Sequence, residues 1–327
     1  MTILAGIDIG GTKSAVSLYR GNADQADQME SLAHGRFPTP KGPTETLAAV
    51  IKALDGLIAE TMVRPDAVGI SCGGPLDADA GIVLSPPNLP GWHHVDVVAP
   101  LAAHFSVPVR LENDANAGAL AEWYWGSGRG LKNLIFLTFG TGMGAGLILN
   151  GMLYPGTTGL AGEIGHWRLA DEGPVGFGKP GSFEGFCSGG GIARMAQASL
   201  ERWLQQGKAT LLAPASQKVA LSAQMVGEAA QQRDPLALEI LTESGRRLGQ
   251  ALALLIDLLN PELIVLGSIY GRQRNILEPS ALQIVQREAI SQAYARCRIE
   301  PTGLGEAIGD LASVAVALSA LKGLGAI

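Results

Sequence analysis

Apolar and polar residues alternate through residues 6–19 (GIDIGGTKSAVSLY), and Gly10, Gly11 and Thr12 interrupt the alternation near its middle. That pattern predicts two strands joined by a tight turn. The same arrangement returns at residues 134–151 (LIFLTFGTGMGAGLILNG), with Gly140, Thr141 and Gly142 at the break. Elsewhere the period lengthens. Leu47, Val50, Ile51, Leu54 and Ile58 share one face of a helix over 44–61, with Thr44 as its expected N-cap. The short apolar run 66–72 predicts a buried strand that enters the turn GGPLDADAG. Residues 107–111 predict another strand, which ends at Glu112-Asn113-Asp114 before an alanine-rich helix from Ala115 to about Trp125. Further on, 236–259 predicts a long helix, 262–266 a strand ending at Gly267-Ser268, and 310–321 a last apolar helix. Residues 162–191 are glycine-rich and without clear period, which predicts a long loop region of the kind that is usually functional or mobile.

Composition narrows the class. A chain of 327 residues suggests two domains at roughly 150 residues each. Hydrophobic residues make up 47% and glycine 44 positions, which fits α/β domains with tight turns and argues against disorder. The net charge of −6, with no long basic run, gives nucleic-acid binding no electrostatic support. Cys72, Cys187 and Cys297 are scattered and odd in number, which points away from a disulfide framework and toward a reducing cytoplasm. Asp8 interrupts the first apolar stretch, so no signal peptide is read. The greasiest segment, 248–266, contains Asp257, Asn260, Pro261 and Glu262, and reads as a buried helix followed by a strand, with no membrane span.

The two glycine turns carry the first chemical hint. A Gly/Thr turn can bring backbone N–H groups close to an anion. Two such turns facing one another would hold the two ends of a triphosphate, so nucleotide-dependent phosphoryl transfer is the leading expectation. Asp114 carries the second. It sits at a strand-to-helix junction, a common position for catalytic groups in α/β folds. A carboxylate that accepts a hydroxyl proton during transfer contributes roughly 10²–10⁴ in rate. A helix N-cap is the other reading of an aspartate there.

Taken together, GIDIGGTKS (6–14), PPNLPGW (86–92), ENDANAGALAEW (112–123), TFGTGMGAGLILNG (138–151), GEIGH (162–166) and PELIVLGS (261–268) resemble the ROK family of repressors, open reading frames and kinases, nearly end to end. The resemblance implies a two-lobed actin-like ATPase (ribonuclease H-like, hexokinase-like) α/β fold, with nucleotide and sugar in a cleft between lobes. It divides the chain into an N-terminal lobe of 1–117 plus 311–327 and a C-terminal lobe of 118–310. It implies Asp8 beside magnesium through water, with Gly10, Gly11, Thr12 and Lys13 near the phosphates of ATP; for Lys13, a solvent-facing role is also open. Gly140, Thr141 and Gly142 match the family's other phosphate loop. Gly267 and Ser268 resemble its adenosine-side loop, although relatives more often carry two or three glycines there. Asp114 matches the catalytic base. Asn113, Glu163, His166 and Glu184 match residues that hydrogen-bond the sugar, and Gly74 and Asn88 line the same cleft. A cytoplasmic homodimer is also implied.

One stretch departs from the family. Most relatives carry three zinc-binding cysteines between the GEIGH motif and Glu184. Here the aligned run is VGFGKPGSFE, and those positions hold Val175, Phe177 and Ser182. Valine and phenylalanine offer no ligand atom and a serine hydroxyl is a poor one, so no structural zinc is expected. Val175 and Phe177 are expected to pack where the metal holds the loop in relatives. The function expected is ATP-dependent, magnesium-assisted phosphorylation of a hexose hydroxyl, glucose-type first, with N-acetylmannosamine, other N-acylhexosamines, allose and fructose also open. Two other classes stand beside it. A sugar-sensing ROK repressor would carry a winged helix-turn-helix ahead of the first glycine turn, which begins at Gly6 and leaves no room for one. A non-catalytic sugar-binding protein would not need both Asp8 and Asp114.

Overall fold

The computed structural model describes residues 1–21, 29–216 and 219–322. The chain opens with an antiparallel meander of β1 (Thr2–Ile9), β2 (Lys13–Gly21) and β3 (Glu30–Pro38), followed by α1 (Pro43–Thr61) and β4 (Ala67–Cys72). A small antiparallel sheet of β5 (Leu76–Asp77), β6 (Ile82–Val83) and β7 (Val95–Asp96) precedes α2 (Val98–Phe105), β8 (Val109–Asn113) and α3 (Asp114–Tyr124). The second hairpin, β9 (Leu134–Leu137) and β10 (Ala145–Leu149), continues into β11 (Met152–Leu153). A two-stranded ribbon, β12 (Val175–Gly176) and β13 (Lys179–Pro180), is followed by helices α4 (Phe183–Phe186), α5 (Gly189–Gln205), α6 (Leu212–Ser216), α7 (Ala223–Gln231) and α8 (Pro235–Leu259). The chain closes with β14 (Leu263–Leu266), α9 (Ser268–Glu288), α10 (Ser291–Tyr294), β15 (Arg298–Pro301) and α11 (Ile308–Lys322). Both expected hairpins form.

Two five-stranded sheets organise these elements, ordered β3-β2-β1-β4-β8 and β11-β10-β9-β14-β15. In the first, β1, β4 and β8 run parallel, with Ile9 beside Cys72 and Cys72 beside Asn113. Every residue of β4 is buried, as expected of a parallel strand covered on both faces. The chain divides into two compact units, Met1–Phe136 with Gly146–Gly162 and Thr302–Ile327, and Leu137–Ala145 with Glu163–Pro301.

In the first unit the apolar core gathers Ile7, Ile9, Val16, Val50, Leu54, Ile70, Trp92 and Leu111. The last helix, α11, lies over β1, β4 and α3. It approaches β4 at Gly69, where a Cβ would strike the Ser313 carbonyl and the Ala317 amide nitrogen. Glu122, fully buried near the end of α3, ties this helix to the segment entering α11. It accepts bonds from Ser127 N (2.9 Å), Gly303 N and Leu304 N (each 3.3 Å), and the Thr302 hydroxyl.

Four local expectations are corrected. Thr44 does not cap α1: the cap is Gly42, because Pro43, whose fixed φ suits the first helical position, starts the helix earlier. The Thr46 hydroxyl instead donates to Gly42 O at 2.8 Å. The strand expected at 107–111 is β8, two residues later. Pro108 has no N–H for the ladder and contributes only its carbonyl, which accepts from Val68 N at 2.9 Å, while pairing with β4 continues to Asn113. The helix expected from Ala115 starts at Asp114, and its cap is Asn113. Finally, 162–191 is not one irregular loop: a 3₁₀ turn (Ile164–His166), the β12–β13 ribbon, α4 and the head of α5 occupy it.

Candidate functional site

In the first unit the parallel strands β1, β4 and β8 finish side by side. Their carboxyl ends place Asp8, the Gly73-Gly74 loop and the Asn113-Asp114 pair in adjacent register. Asn113 is extended (φ −71°, ψ 161°), and its Oδ1 accepts from Asn116 N at 2.7 Å. It satisfies a first-turn amide that would otherwise lack a partner. Capping therefore belongs to Asn113, and Asp114 stands exposed as the first residue of α3. Glu112, one residue before the pair, is buried and committed to Arg110 Nη2 (2.7 Å) and Asn116 Nδ2 (3.0 Å).

Asp8 is more enclosed. Burial is the main reason its carboxyl is pushed from the ordinary 3.8 to about 6; the charges of Asp114 and Asp310 push the same way, and Arg36 opposes them. The Asp8 and Asp114 carboxylates are thus electrostatic neighbours, and each disfavours a second negative charge beside it.

The turn after Asp8 is braced from behind. Gly10 N donates to Lys13 O at 3.2 Å, the Thr39 hydroxyl donates to Gly10 O at 2.6 Å, and Thr39 N donates to Thr12 O at 3.1 Å. Gly11, Thr12 and Lys13 remain exposed. A Cβ on Gly11 would strike the carbonyl of Asn88, and one on Gly73 would lie 3.2 Å from the Asn88 amide nitrogen. Asn88 therefore joins the glycine turn to the Gly73-Gly74 loop. Asp77 is a turn residue, its carboxylate accepting from Ala80 N at 2.9 Å.

In the second unit, Gly140-Thr141-Gly142 forms a turn closed by Gly140 N donating to Gly142 O at 3.1 Å, with Thr141 exposed. Two helix heads meet it. Gly189 N, the first residue of α5, donates to Gly140 O at 2.8 Å, and Ser188 caps that helix by accepting from Gly191 N at 2.9 Å. On α9, Gly267 N donates to Leu137 O at 2.8 Å and Ile269 N to Phe139 O at 3.1 Å. Any side chain on Gly267 would strike the Thr138 carbonyl, so Ser268 begins α9 directly against the turn. Helix N-termini carry partial positive charge and spare N–H groups, so this arrangement suits phosphate oxygens. The α5 head is a contribution that the sequence reading missed. Its signal was present as Ser188-Gly189-Gly190-Gly191, a cap residue followed by three glycines.

Glu184 lies beside the same turn, accepting from Met143 N at 3.1 Å. Burial raises its pKa, while the Met143 bond, Arg194 and His166 pull it back. A Cβ on Gly165 would strike the Met143 carbonyl, which sets the Glu163–His166 turn against the same residue. His166 Nε2 lies 3.9 Å from Glu163 Oε2, and both side chains are nearly half exposed. The second unit thus brings Glu163, His166 and Glu184 together with Gly140–Gly142: two carboxylates and an imidazole, able to accept from and donate to a polyhydroxyl ligand.

In the loop around Ser182, Val175 and Phe177 are only partly covered, 46% and 49% exposed. Ser182 is the buried member. Its hydroxyl accepts from Gly176 N at 3.0 Å and Gly185 N at 3.1 Å, linking the ribbon to α4. No cluster of three or more His, Cys, Asp or Glu side chains suited to a metal occurs among the described residues.

The sequence model of the ROK family matches residues 4–319. The chain belongs to the ROK family. A glucokinase of Halalkalibacterium halodurans is 34% identical over 269 residues, covering 80% of this chain and 78% of that protein. An N-acetylmannosamine kinase of Shigella flexneri is 31% identical over 290 residues, covering 88% and 90%. The crystal structure of a ROK family glucokinase from Streptomyces griseus, in complex with glucose and AMPPNP, superimposes with a TM-score of 0.78 at 28% identity, over 97% of this chain and 98% of that one. The fold of this ROK protein is accordingly the actin-like ATPase fold. None of its described helices is long and apolar enough to cross a membrane.

Proposed function

We propose that this ROK protein is a sugar kinase that transfers the γ-phosphoryl group of ATP to a hydroxyl of a hexose, with a glucose-type hexose as first substrate. The observation that carries the reading is the Asp8–Asp114 pair at the ends of parallel strands, one enclosed and one exposed, beside a braced glycine turn. The likeness to proteins named glucokinase supports the sugar and nucleotide classes.

Asp114 accepts the proton of the attacking hydroxyl. The hydroxyl oxygen forms its bond to the γ-phosphorus, the bond from that phosphorus to the bridging oxygen breaks, and ADP leaves with the bridging electron pair. Asn113 Oδ1 is occupied by the cap, which leaves its amide N–H₂ to donate to a neighbouring sugar hydroxyl. Glu163, His166 and Glu184 hold further hydroxyls, and Asn88 and Gly74 line the sugar's surroundings. Gly10, Gly11, Thr12 and Lys13 form one phosphate turn and Gly140, Thr141 and Gly142, with the heads of α5 and α9, the other; the amides not used to close these turns, and the Thr141 hydroxyl, meet the nucleotide. Asp8 fits a magnesium ion, through water: its enclosed carboxylate stands next to a like charge, and a divalent cation offsets that repulsion. When bound, magnesium neutralises charge on the phosphate oxygens. The family's zinc does not fit here, because Val175 and Phe177 offer no donor and the Ser182 hydroxyl is already engaged by two amides.

The test is ADP release over a sugar panel of glucose, mannose, N-acetylmannosamine, N-acetylglucosamine, allose and fructose. Stimulation by at least one hexose is expected, with glucose foremost. A chain that binds a sugar yet releases no ADP with any of them is a sensor, and the kinase reading fails.

A further inference from the structure

The β12–β13 ribbon turns through Phe177 and Gly178, both at positive φ (51° and 68°). Two-residue hairpin turns with two such residues favour Asn, Asp or Gly at the first position. A bulky aromatic there is strained, and strain of this kind is retained where the surroundings hold it. Core burial does not explain the choice, because Phe177 is 49% exposed. Its ring instead lies flat on the imidazole of His166, with centroids 3.9 Å apart and planes 19° from parallel. The same ribbon holds His166 a second time, through Lys179 Nζ, which donates to the His166 carbonyl at 2.6 Å. The ribbon is anchored in turn by the buried Ser182 hydroxyl at Gly176 N.

We infer that Phe177 is a positioning residue for sugar recognition: at the strained tip of a ribbon that also grips the His166 carbonyl, its ring fixes the plane of the His166 imidazole. A locked imidazole presents its edge nitrogen in one direction, toward Glu163 and the ligand they share. This inference rests on the sugar-kinase reading, in which His166 touches substrate.

Phe177→Asn separates positioning from folding. Asparagine suits the turn better than phenylalanine, so this variant is expected to be at least as resistant to heat as the parent. Its KM for the hexose is expected to rise about three- to tenfold, the size of one misaligned hydrogen bond, with KM for ATP unchanged and kcat lowered less than about threefold. Phe177→Tyr, which restores the ring, should return the hexose KM to the parental value. In NMR spectra, the His166 imidazole protons should move downfield in Phe177→Asn as the ring current is lost, and stay in place in Phe177→Tyr. A hexose KM unchanged in Phe177→Asn overturns the inference, as does a loss that Phe177→Tyr fails to repair. If the parent releases no ADP, calorimetric affinity for the hexose replaces KM: a weaker Phe177→Asn supports the positioning role while the kinase reading falls. A parent that binds no sugar overturns both.

Discussion

Asp8 shows what a single side chain contributes and withholds. Its pKa in the folded protein lies near 6, above the ordinary 3.8. Between those values the folded chain holds more protons than the unfolded one, so stability falls as pH rises through that window. The enclosed carboxylate therefore opposes folding at neutral pH, by up to about 3 kcal/mol. Asp8→Asn is expected to raise the urea midpoint of the first unit at pH 7, with the gain shrinking toward pH 4. It should also remove most turnover. The parent's kcat/KM should rise through about pH 6 as this carboxyl ionises. A variant no more stable than the parent at pH 7, or a rate profile flat from pH 5 to 7, would contradict the assignment. The positions of Asp8 and Asp114 were legible in the sequence because one sits at the end of an apolar strand just before a glycine turn and the other where a strand gives way to an alanine-rich helix. That Asn113 takes the cap and leaves Asp114 exposed was not legible, since both residue types cap helices well.

At the scale of elements, the arrangement depends on glycines that let backbone touch backbone. Gly267 is the clearest case. Its φ of −73° suits any residue, so only space keeps a side chain out, and the obstacle is the Thr138 carbonyl. Gly267→Ala should lift the head of α9 from the Gly140–Gly142 turn, raise KM for ATP at least about tenfold and destabilise by about 1–3 kcal/mol, the range for overpacking a tight contact. Steady-state kinetics with ATP varied checks it; an unchanged KM for ATP would show that this helix head does not meet the nucleotide. Strands and hairpins were legible because alternation and unbroken apolar runs announce them. The helices of the second unit were less so. In α9, Gln273 departs from helical geometry and Pro279 lies within the helix, so the apolar period is interrupted. The head of α5 was hidden because three glycines read as loop, although Ser188 supplies the cap. The ribbon that grips His166 was invisible for another reason: Phe-Gly is an unusual hairpin turn, and its purpose depends on a partner eleven residues upstream.

The whole molecule is assembled by long-range returns of the chain. In the first unit α11 comes back from the far end of the sequence to lie on β1, β4 and α3, burying Leu311, Val314, Val316 and Leu318. Gly69 permits that closeness. Gly69→Ala is expected to push α11 from β4 and to lower the unfolding free energy of the first unit by about 1–3 kcal/mol, read from urea unfolding. An unchanged midpoint would show that the helix does not rest on that strand. The sequence announced α11 as an apolar helix, and its return to the first unit was implied by the family resemblance. What the protein does chemically turns on Asp114. The most direct measurement compares hexose binding by calorimetry and hexose-dependent ADP release for the parent and Asp114→Asn. Asparagine keeps the size of the side chain at the first position of α3 and removes only its capacity to take a proton. With Asp114 as the base, hexose affinity is expected within about twofold of the parent and turnover lowered at least about a hundredfold. Near-parental turnover in Asp114→Asn, with binding intact, would contradict that role.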